Sequence, residues 1–583
     1  MSSGEQPASW RALFGERELW LLIVLTVAIY VPRLADQTIR GEESRWATVA
    51  QQMLASGDYL IPRQQGLAFP DRPPLHCWTI AACMAWLGPT SLIAIRLPSV
   101  LAIIATSTLI YIYGRRFLSP LGALASAVSF ATAFQVMQLG RLAESDALFT
   151  LFVASSLLVW HMLWLTNRSR LLCWSVGFGL AAVAALAKGP QAPVYFVGIT
   201  GCYLVLVCRE WRWLVSWQYW VGAAVFLVVL GSWQVPFAMA LGSKAIFDIW
   251  TQEGHLSYRC TPKELMSSMQ HWLLYPAELI AATLPWSVML FCYLSRWMRQ
   301  SIGTAKPYVS FLTTALVLAL PTCWIPANSV TRYFMSLFPC MALLSGLAIE
   351  RSVMALKSRQ AAGGAMNWAQ LSWLRGMNAG VVLIGSFAVV AIVLPFVSIG
   401  LPAEVVPSIA LATTTCVIAA TTSVALWRLR RMDAASQRWS LLLIGGFCGF
   451  VYVGWGLNVA IRTSTNPAAA VAEVKQQLPD DVSLVSFGRV HHLFAFYYGT
   501  LIRQAPRLAT EPEVADVDYF CFAQNRDEPV PIAIPFEWEQ IAIVSCDRAQ
   551  RPAPTDMVIV GRRKASDTTT QAAKPQASTT SVK

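Results

Sequence analysis

The chain of 583 residues is 56% hydrophobic and only 13% charged, a composition that excludes an ordinary soluble domain. Its formal charge of +12 does not indicate nucleic-acid binding, because the basic residues fall in short loops between apolar runs. The composition therefore predicts a polytopic α-helical membrane protein.

The first apolar run, Trp20–Val31, follows a polar segment, 1–18, and precedes Pro32 and Arg33 without a small-residue cleavage site. We therefore predict a retained first span rather than a signal peptide. Thirteen spans are predicted in a transmembrane domain at 19–462, since each run approaches the length that crosses a bilayer. They lie at 19–34, 92–113, 119–139, 145–165, 171–187, 190–208, 219–240, 272–295, 308–326, 333–350, 378–399, 404–427 and 440–460.

Basic loops alternate with mixed or acidic loops along the whole series of spans. The positive-inside rule places the basic loops and residues 1–18 in the cytoplasm and residues 462–583 outside. Residues 466–565 are predicted to form a small external α/β domain, and the apolar-poor tail 566–583 is predicted to be disordered. The predicted elements of that domain are a helix at Ala468–Gln477 and strands at Val482–Phe487, Tyr519–Ala523, Ile541–Cys546 and Met557–Gly561.

The first external loop, 35–91, is far too polar to lie in lipid, although its segment 74–88 is apolar and predicts an interfacial helix. Ionisable residues collect in this loop and at the external ends of the spans: Glu42, Asp71, Arg72, Arg141, Glu144, Asp146, Lys188, His255, Arg259, Glu278 and Arg332. A transporter more often places such residues at the bilayer midplane. A cluster at one interface favours an enzyme whose substrate has a lipid tail and a polar head.

Glu42 begins a stretch in which Trp46, Val49 and Met53 recur at helical spacing, which predicts an amphipathic helix along the surface. Arg45 lies on the same face as Glu42 and is expected to orient its carboxylate and keep it ionised. The alternative is a solvated surface carboxylate.

Phe-Pro-Asp-Arg-Pro-Pro-Leu at 69–75 is stiff, because its prolines restrict the backbone. It therefore holds Asp71 and Arg72 in defined positions, and the planar fork of Arg72 suits a phosphate. The alternative is an interfacial turn that carries an ion pair.

The remaining candidate residues also have structural explanations. Asp146 opens the fourth span from outside, where the helix dipole favours an acid whatever the function. Arg332, beside Tyr333, is either a phosphate ligand or an interfacial anchor. His255 and Asp71 could hold a divalent metal, although two ligands are too few to establish a site.

Taken together, these segments resemble a known pattern. Its parts are Glu42-Glu43-Ser-Arg45-Trp46, Met-Leu-Ala-Ser-Gly-Asp-Tyr at 53–59, the 69–75 stretch, Arg96-Leu-Pro-Ser99, Arg141 with Asp146, Lys188-Gly-Pro190, His255 with Arg259, and Arg332-Tyr-Phe with Pro339. The pattern is similar to the bacterial branch of the dolichyl-phosphate-mannose–protein mannosyltransferase superfamily, and within it to the lipid A 4-amino-4-deoxy-L-arabinose transferases. The resemblance covers residues 15–350.

The resemblance implies a glycosyltransferase C fold in the bacterial inner membrane with a periplasmic C-terminal domain. It implies transfer, with inversion, of a sugar from undecaprenyl or another polyprenyl phosphate to a lipid A-like, glycolipid or protein acceptor. By position, Glu42 matches an essential acid, Asp146 a second acid, Asp71 and His255 metal-linked residues, and Arg72, Arg259 and Tyr333 groups near the lipid phosphate. Glu at 42, Trp at 46 and Asp-Arg at 71–72 depart from the usual Asp, Tyr and Glu-Lys.

The chemistry of that reaction suits these residues. Arg72, Arg259, Arg332 and Lys188 can neutralise the departing lipid phosphate, with or without a divalent cation such as Zn, Mg or Mn. Glu42 or Asp146 can accept the proton of an acceptor hydroxyl. No nucleotide-phosphate loop occurs in the sequence, so no nucleotide cofactor is expected. A lipid-linked sugar flippase and an inactive binding subunit are the alternatives.

Overall fold

The computed structural model describes residues 15–70, 72–252, 262–326, 329–362, 366–397, 406–430, 433–479, 482–525, 532–547 and 555–564. The chain divides into two compact units, residues 1–64 with 68–464, and residues 65–67 with 465–583. The first unit contains every candidate functional residue that the structure describes.

The described residues between 15 and 464 are helical apart from one short hairpin, β1 (Arg63–Gln64) with β2 (Leu67–Ala68). The helices of the first unit are α1 (Arg17–Tyr30), α2 (Glu43–Ser56), α3 (Leu75–Leu87), α4 (Leu92–Gly114), α5 (Pro120–Ala131), α6 (Phe134–Leu139), α7 (Ser145–Leu165), α8 (Arg170–Lys188), α9 (Gln191–Cys202), α10 (Trp217–Leu241), α11 (Ser243–Gln252), α12 (Pro262–Ala282), α13 (Arg296–Ser301), α14 (Lys306–Trp324), α15 (Phe338–Ala362), α16 (Ser372–Val393), α17 (Ile409–Arg428), α18 (Ala434–Phe450) and α19 (Leu457–Arg462). Two 3-10 segments, Trp286–Leu294 and Thr331–Leu337, also belong to this unit.

Each predicted span corresponds to helical structure, and the protein is a multi-pass membrane protein. Ten helical stretches among the described residues are long and apolar enough to cross a membrane. An eleventh is present if Ser268–Ala282 and Trp286–Leu294, which meet at a bend of 117°, count as one span. The predicted spans at 19–34 and 119–139 correspond to shorter helices, α1 and the pair α5 and α6. The count of thirteen therefore stays a prediction.

Close helix contacts in this unit depend on small residues. The helices α5 and α15 pack together, and a Cβ atom on Gly346 would lie 2.7 Å from the backbone nitrogen of Ser126. Only glycine fits this approach. Such contacts are typical of membrane helices, since packing replaces the hydrophobic effect there.

The first loop folds as α2, the hairpin and α3; α2 packs on α3, and α3 packs on α4. The predicted apolar face of α2 is confirmed, because Trp46, Val49 and Met53 are all buried. Gly57, with φ +70°, ends the helix. The predicted helix at 74–88 is also confirmed, as α3.

The second unit contains a five-stranded mixed sheet with the strand order β4-β3-β5-β7-β6. Its elements are α20 (Ala468–Gln477), β3 (Val485–Phe487), α21 (His492–Tyr498), β4 (Arg503–Ala505), β5 (Tyr519–Asn525), β6 (Trp538–Ser545) and β7 (Asp556–Arg563). β3 pairs in parallel with β4 and β5, whereas β7 pairs antiparallel with β5 and β6. All four predicted strands and the predicted helix are present, and β4 and α21 were not predicted.

Candidate active site

A fully buried ion pair fixes the start of the first loop. The Arg96 guanidinium on α4 donates from Nε and Nη2 to the two carboxylate oxygens of Glu43, at 2.8 and 2.9 Å, and both side chains are 0% exposed. Arg96 also donates to the carbonyl oxygens of Leu34, Gln37 and Thr38. Because one guanidinium holds both a helix start and the chain before it, this pair sets the position of the neighbouring Glu42.

The 141–146 segment is held against the same loop. Arg141 donates to the carbonyl oxygens of Ile29, Tyr30 and Pro32, which satisfies acceptors at the end of α1. The backbone nitrogen of Ala143 donates to Glu43 at 2.8 Å. Sequence reasoning assigned no role to Arg96 or Glu43. The signal was a lone Arg inside an apolar helix, which requires a buried acidic partner.

Glu42 lies at the start of α2 and is partly accessible. Its carboxylate forms an ion pair with Arg45, whose Nε lies 2.7 Å from Oε2, and its side chain is 31% exposed. The predicted pairing of Glu42 with Arg45 is therefore present. The adjacent positions 42 and 43 place one carboxylate at a surface and the other in the protein interior.

Glu144, the residue that directly precedes α7, contacts the same turn. Its Oε1 atom accepts the backbone N–H of Glu42 at 2.9 Å. Burial raises the pKa of the Glu144 carboxyl to about 7, and the negative charge of Asp146 adds to that increase. The positive charge of Arg332 acts in the opposite direction.

Asp146 is buried and forms an ion pair with Lys188, whose ammonium lies 2.7 Å from Oδ1. Lys188 ends α8, and its Nζ atom also lies 4.6 Å from the centre of the Tyr333 ring. The Arg332 guanidinium lies 5.5 Å from that ring and acts electrostatically on Asp146. Segments distant in the chain therefore meet here.

Arg72 approaches the same carboxylate from the first loop. Its guanidinium lies 5.7 Å from the centre of the Trp46 ring and acts electrostatically on both Asp146 and His76. His76 is buried, and its Nε2 lies 3.1 Å from the carbonyl oxygen of Ala143. Burial lowers the pKa of His76 to about 4, so its imidazole is neutral at physiological pH.

We call the residues Glu42, Arg72, Glu144, Asp146, Lys188, Arg332 and Tyr333 the charged cluster. The structure brings together all the predicted site residues that it describes. Asp71, His255 and Arg259 lie outside the described residues. Within the part of the chain that is described, no three His, Cys, Asp or Glu side chains form a metal-binding group.

A largely apolar groove of about 1070 Å³ reaches the edge of the charged cluster. Its walls come from α6, the bend after α12, α16 and α18. Its polar groups include Gln135, Gln138, Glu278 and Thr331, and Gln135 donates to the Thr331 hydroxyl at 2.9 Å. Because Thr331 directly precedes Arg332, the groove lining includes a residue that is next in the chain to the charged cluster.

Sequence comparisons identify proteins that are similar to this chain. Residues 71–233 match the family described as dolichyl-phosphate-mannose-protein mannosyltransferase. An undecaprenyl phosphate-alpha-4-amino-4-deoxy-L-arabinose arabinosyl transferase of Pseudomonas paraeruginosa is 29% identical over 57% of this chain and 60% of its own length. The Pseudomonas aeruginosa protein of the same name is 30% identical over 56% of this chain and 59% of its own. The match thus spans less than two thirds of these relatives.

Structural comparison extends the likeness over almost the whole chain. The crystal structure of ArnT from Cupriavidus metallidurans bound to undecaprenyl phosphate superposes with a TM-score of 0.65 at 15% identity, covering 93% of this chain and 97% of that one. The apo form gives a TM-score of 0.66 at 16% identity. Because the sequence identity is low, the superposition establishes only the fold, which is the glycosyltransferase C fold. Residues 71–233 of this chain are therefore similar to the dolichyl-phosphate-mannose-protein mannosyltransferase family, and the chain is similar over a little more than half of its length to the undecaprenyl phosphate-alpha-4-amino-4-deoxy-L-arabinose arabinosyl transferases.

Proposed function

We propose that this protein is an inverting glycosyltransferase of the bacterial inner membrane. It moves a hexose or pentose from a polyprenyl phosphate, such as undecaprenyl phosphate, to a lipid A-like, glycolipid or protein acceptor on the periplasmic side. The second unit would then be periplasmic. The observation that carries the proposal is the charged cluster, in which acids and cations from distant segments meet beside an apolar groove. The relatives named for transfer from undecaprenyl phosphate support the same donor class.

The donor would place its lipid chain in the groove and its phosphate beside Arg332. Arg72 also approaches Asp146, so a second guanidinium is available on the first-loop side. In the reaction, the bond between the sugar C1 and the phosphate oxygen breaks and leaves negative charge on the lipid phosphate. Fixed cations in a water-poor site stabilise such charge strongly.

The acceptor side of the reaction is assigned to Glu42. An acceptor hydroxyl forms the new bond to C1 from the opposite face, and its proton passes to a carboxylate. Glu42 is 31% exposed, whereas Asp146 is 4% exposed and ion-paired with Lys188. We therefore assign proton acceptance to Glu42, and to Asp146 the task of holding Lys188 in place. If the acceptor is itself a phosphate, no base is needed and Glu42 only orients groups.

We also propose that Asp71 and His255 hold a divalent cation. The proposed reaction uses no nucleotide cofactor. A carboxylate and an imidazole are ligands that zinc accepts, and when bound the cation would supply Lewis-acid stabilisation of phosphate charge. The steps above do not depend on it. Transfer measured after chelation and after re-addition of Zn, Mg or Mn tests this assignment.

The decisive experiment supplies membranes that contain the full chain with a labelled polyprenyl-phosphate sugar and measures transfer to lipid and protein. Glu42→Gln should lower transfer by a factor of about 100 or more. Asp36→Asn is the matched control, because Asp36 belongs to the same loop and forms an exposed ion pair with Arg33. Equal transfer by wild type and Glu42→Gln would refute the role of Glu42. Flux of the lipid-linked sugar across vesicles without transfer would favour a flippase.

The groove can be tested separately. Leu383→Trp narrows it, whereas Val389→Trp introduces the same side chain at an exposed position of α16 outside the groove lining. We expect Leu383→Trp to raise KM for a long-chain donor and to leave KM for a short-chain donor unchanged. An equal effect on both donors would remove the groove from the proposal.

A further inference from the structure

Glu144 makes a contact that the mechanism above does not use. Its carboxylate is 5% exposed and accepts the backbone N–H of Glu42, the residue from which α2 begins. An N–H at this position has no acceptor within its own helix. The hydrogen bond to Glu144 therefore fixes the backbone of Glu42 and with it the direction of the Glu42 side chain.

The residue before Glu42 is shaped to this contact. Gly41 has φ +52°, and a Cβ atom on it would lie 2.3 Å from Oε1 of Glu144. No side chain can occupy that space while the carboxylate stays in place. Gly41 and Glu144 thus form one arrangement in which a buried acid lies directly against the turn.

We propose that Glu144 is a positioning residue for the transfer reaction, whose ionised carboxylate holds the Gly41–Glu42 turn so that the Glu42 carboxylate faces the substrates. This inference rests on the proposed function, because Glu42 is the proton acceptor there. It adds a residue that acts through Glu42 and contacts neither donor nor acceptor.

Charge should control the contact. The groups that face Glu144 are Asp146 in the first turn of the helix that follows it, Glu42 and Glu43 from the first loop, and Arg332 from the Thr331–Leu337 segment. An ionised carboxylate accepts an N–H bond more strongly than a protonated one. With the pKa of Glu144 raised to about 7 by burial, the turn is held most firmly above that pH.

The first test compares pH profiles of kcat in the full chain. We expect the wild type to lose activity as the pH falls through about 7. Glu144→Ala should lower kcat by about 100-fold, the size expected for a misplaced catalytic group, with little change in KM for the donor. Glu144→Gln keeps an acceptor without a titrating charge, so it should retain more activity and lose the decline near pH 7. An unchanged decline in Glu144→Gln would overturn the inference.

The control for removing a buried carboxylate is Glu350→Gln. Glu350 is also 5% exposed and accepts a backbone N–H, that of Ser119 at 3.0 Å, but it lies outside the charged cluster. Its substitution should leave the pH profile of kcat unchanged. A profile altered equally by Glu350→Gln and Glu144→Gln would mean a general structural effect and would overturn the assignment.

The second test uses the glycine. Gly41→Ala should match Glu144→Ala in kcat, and the double variant should fall little further, since both changes break one contact. Gly57→Ala is the matched control, because Gly57 has φ +70° and nothing within 4 Å of an added Cβ. Independent losses from Gly41→Ala and Glu144→Ala, or an equal loss from Gly57→Ala, would contradict the inference.

Amide hydrogen exchange separates this inference from the proposed function. In Glu144→Ala, exchange of the peptide that contains the Glu42 amide should rise at least tenfold, whereas Glu350→Gln should leave it unchanged. Unchanged exchange in Glu144→Ala overturns the positioning role whether or not the protein transfers sugar. Increased exchange in a protein that transfers no sugar would support the contact and refute the proposed function alone.

Discussion

The adjacent acids Glu42 and Glu43 should respond to the same substitution in opposite ways. Glu43 is fully buried, accepts two bonds from Arg96, and accepts the backbone N–H groups of Arg40 and Ala143. Removing one member of a buried ion pair costs about 3–5 kcal/mol, because the other charge is left in a low dielectric. We therefore expect Glu43→Gln to lower the free energy of unfolding by about 3 kcal/mol or more.

Glu42→Gln should have almost no effect on stability. Glu42 and Arg45 are each about one-third exposed, and an exposed pair contributes about 0–1 kcal/mol. The same substitution should remove most of the transfer activity, because the carboxylate is the assigned proton acceptor. One position should therefore affect stability and the other catalysis.

The loss of stability is measured by equilibrium unfolding of the purified full chain in mixed micelles, with helicity as the signal. The loss of activity is measured by transfer from a labelled donor. Arg96→Met in the Glu43→Gln background should cost less than the sum of the two single losses, since it removes the stranded charge. The reasoning is refuted if Glu42→Gln and Glu43→Gln destabilise the protein equally. It is also refuted if the Arg96 and Glu43 effects simply add.

Three further predictions concern the charged cluster. Burial raises the pKa of Glu144 from 4.5 to about 7, so the contribution of this group to stability is present below pH 4.5 and is lost as the pH rises through about 7. At pH 8, Glu144→Gln should therefore have a free energy of unfolding about 3 kcal/mol higher than that of the wild type. Below pH 4.5 the two proteins should be equally stable. Lys188→Gln should destabilise the protein by leaving Asp146 buried without its ammonium, and adding Asp146→Asn should restore part of the unfolding free energy but not the transfer rate. Arg72→Lys should keep most of the affinity for the donor, whereas Arg72→Gln should raise KM by about 10–100-fold, the value of one charge-assisted hydrogen bond.

Much of the fold could be predicted because apolar runs and loop charges are local signals. The helix at Ala468–Gln477 and the break at Lys188-Gly-Pro190 lie where the sequence indicates. The span predicted at 119–139 is interrupted instead at Thr132, where distant residues decide the backbone. Trp286 donates to the Thr132 hydroxyl at 2.8 Å, and the nitrogen of Phe134 donates to the Leu284 carbonyl oxygen. No local property of an apolar run reveals such partners.

The strand β4 was missed for a similar reason. Arg503–Ala505 is three residues long, polar and at the edge of its sheet, so neither length nor alternation distinguishes it from a loop. The sequence did indicate that charges gather at one side of the spans. It did not indicate that Lys188 pairs with Asp146 or that Glu144 contacts the Glu42 backbone, because these contacts join residues 42 and 102 positions apart.

Four carboxylates lie close together in this site, and their accessibility determines which chemistry each can perform. Glu43, Glu144 and Asp146 are 0%, 5% and 4% exposed, and each is bonded to a fixed partner within the protein. A group that accepts a proton from an incoming substrate must be reachable without breaking such bonds, since an unpaired buried charge is costly. Glu42, at 31% exposure, meets that condition, and the other three are suited to hold it and the neighbouring cations in place.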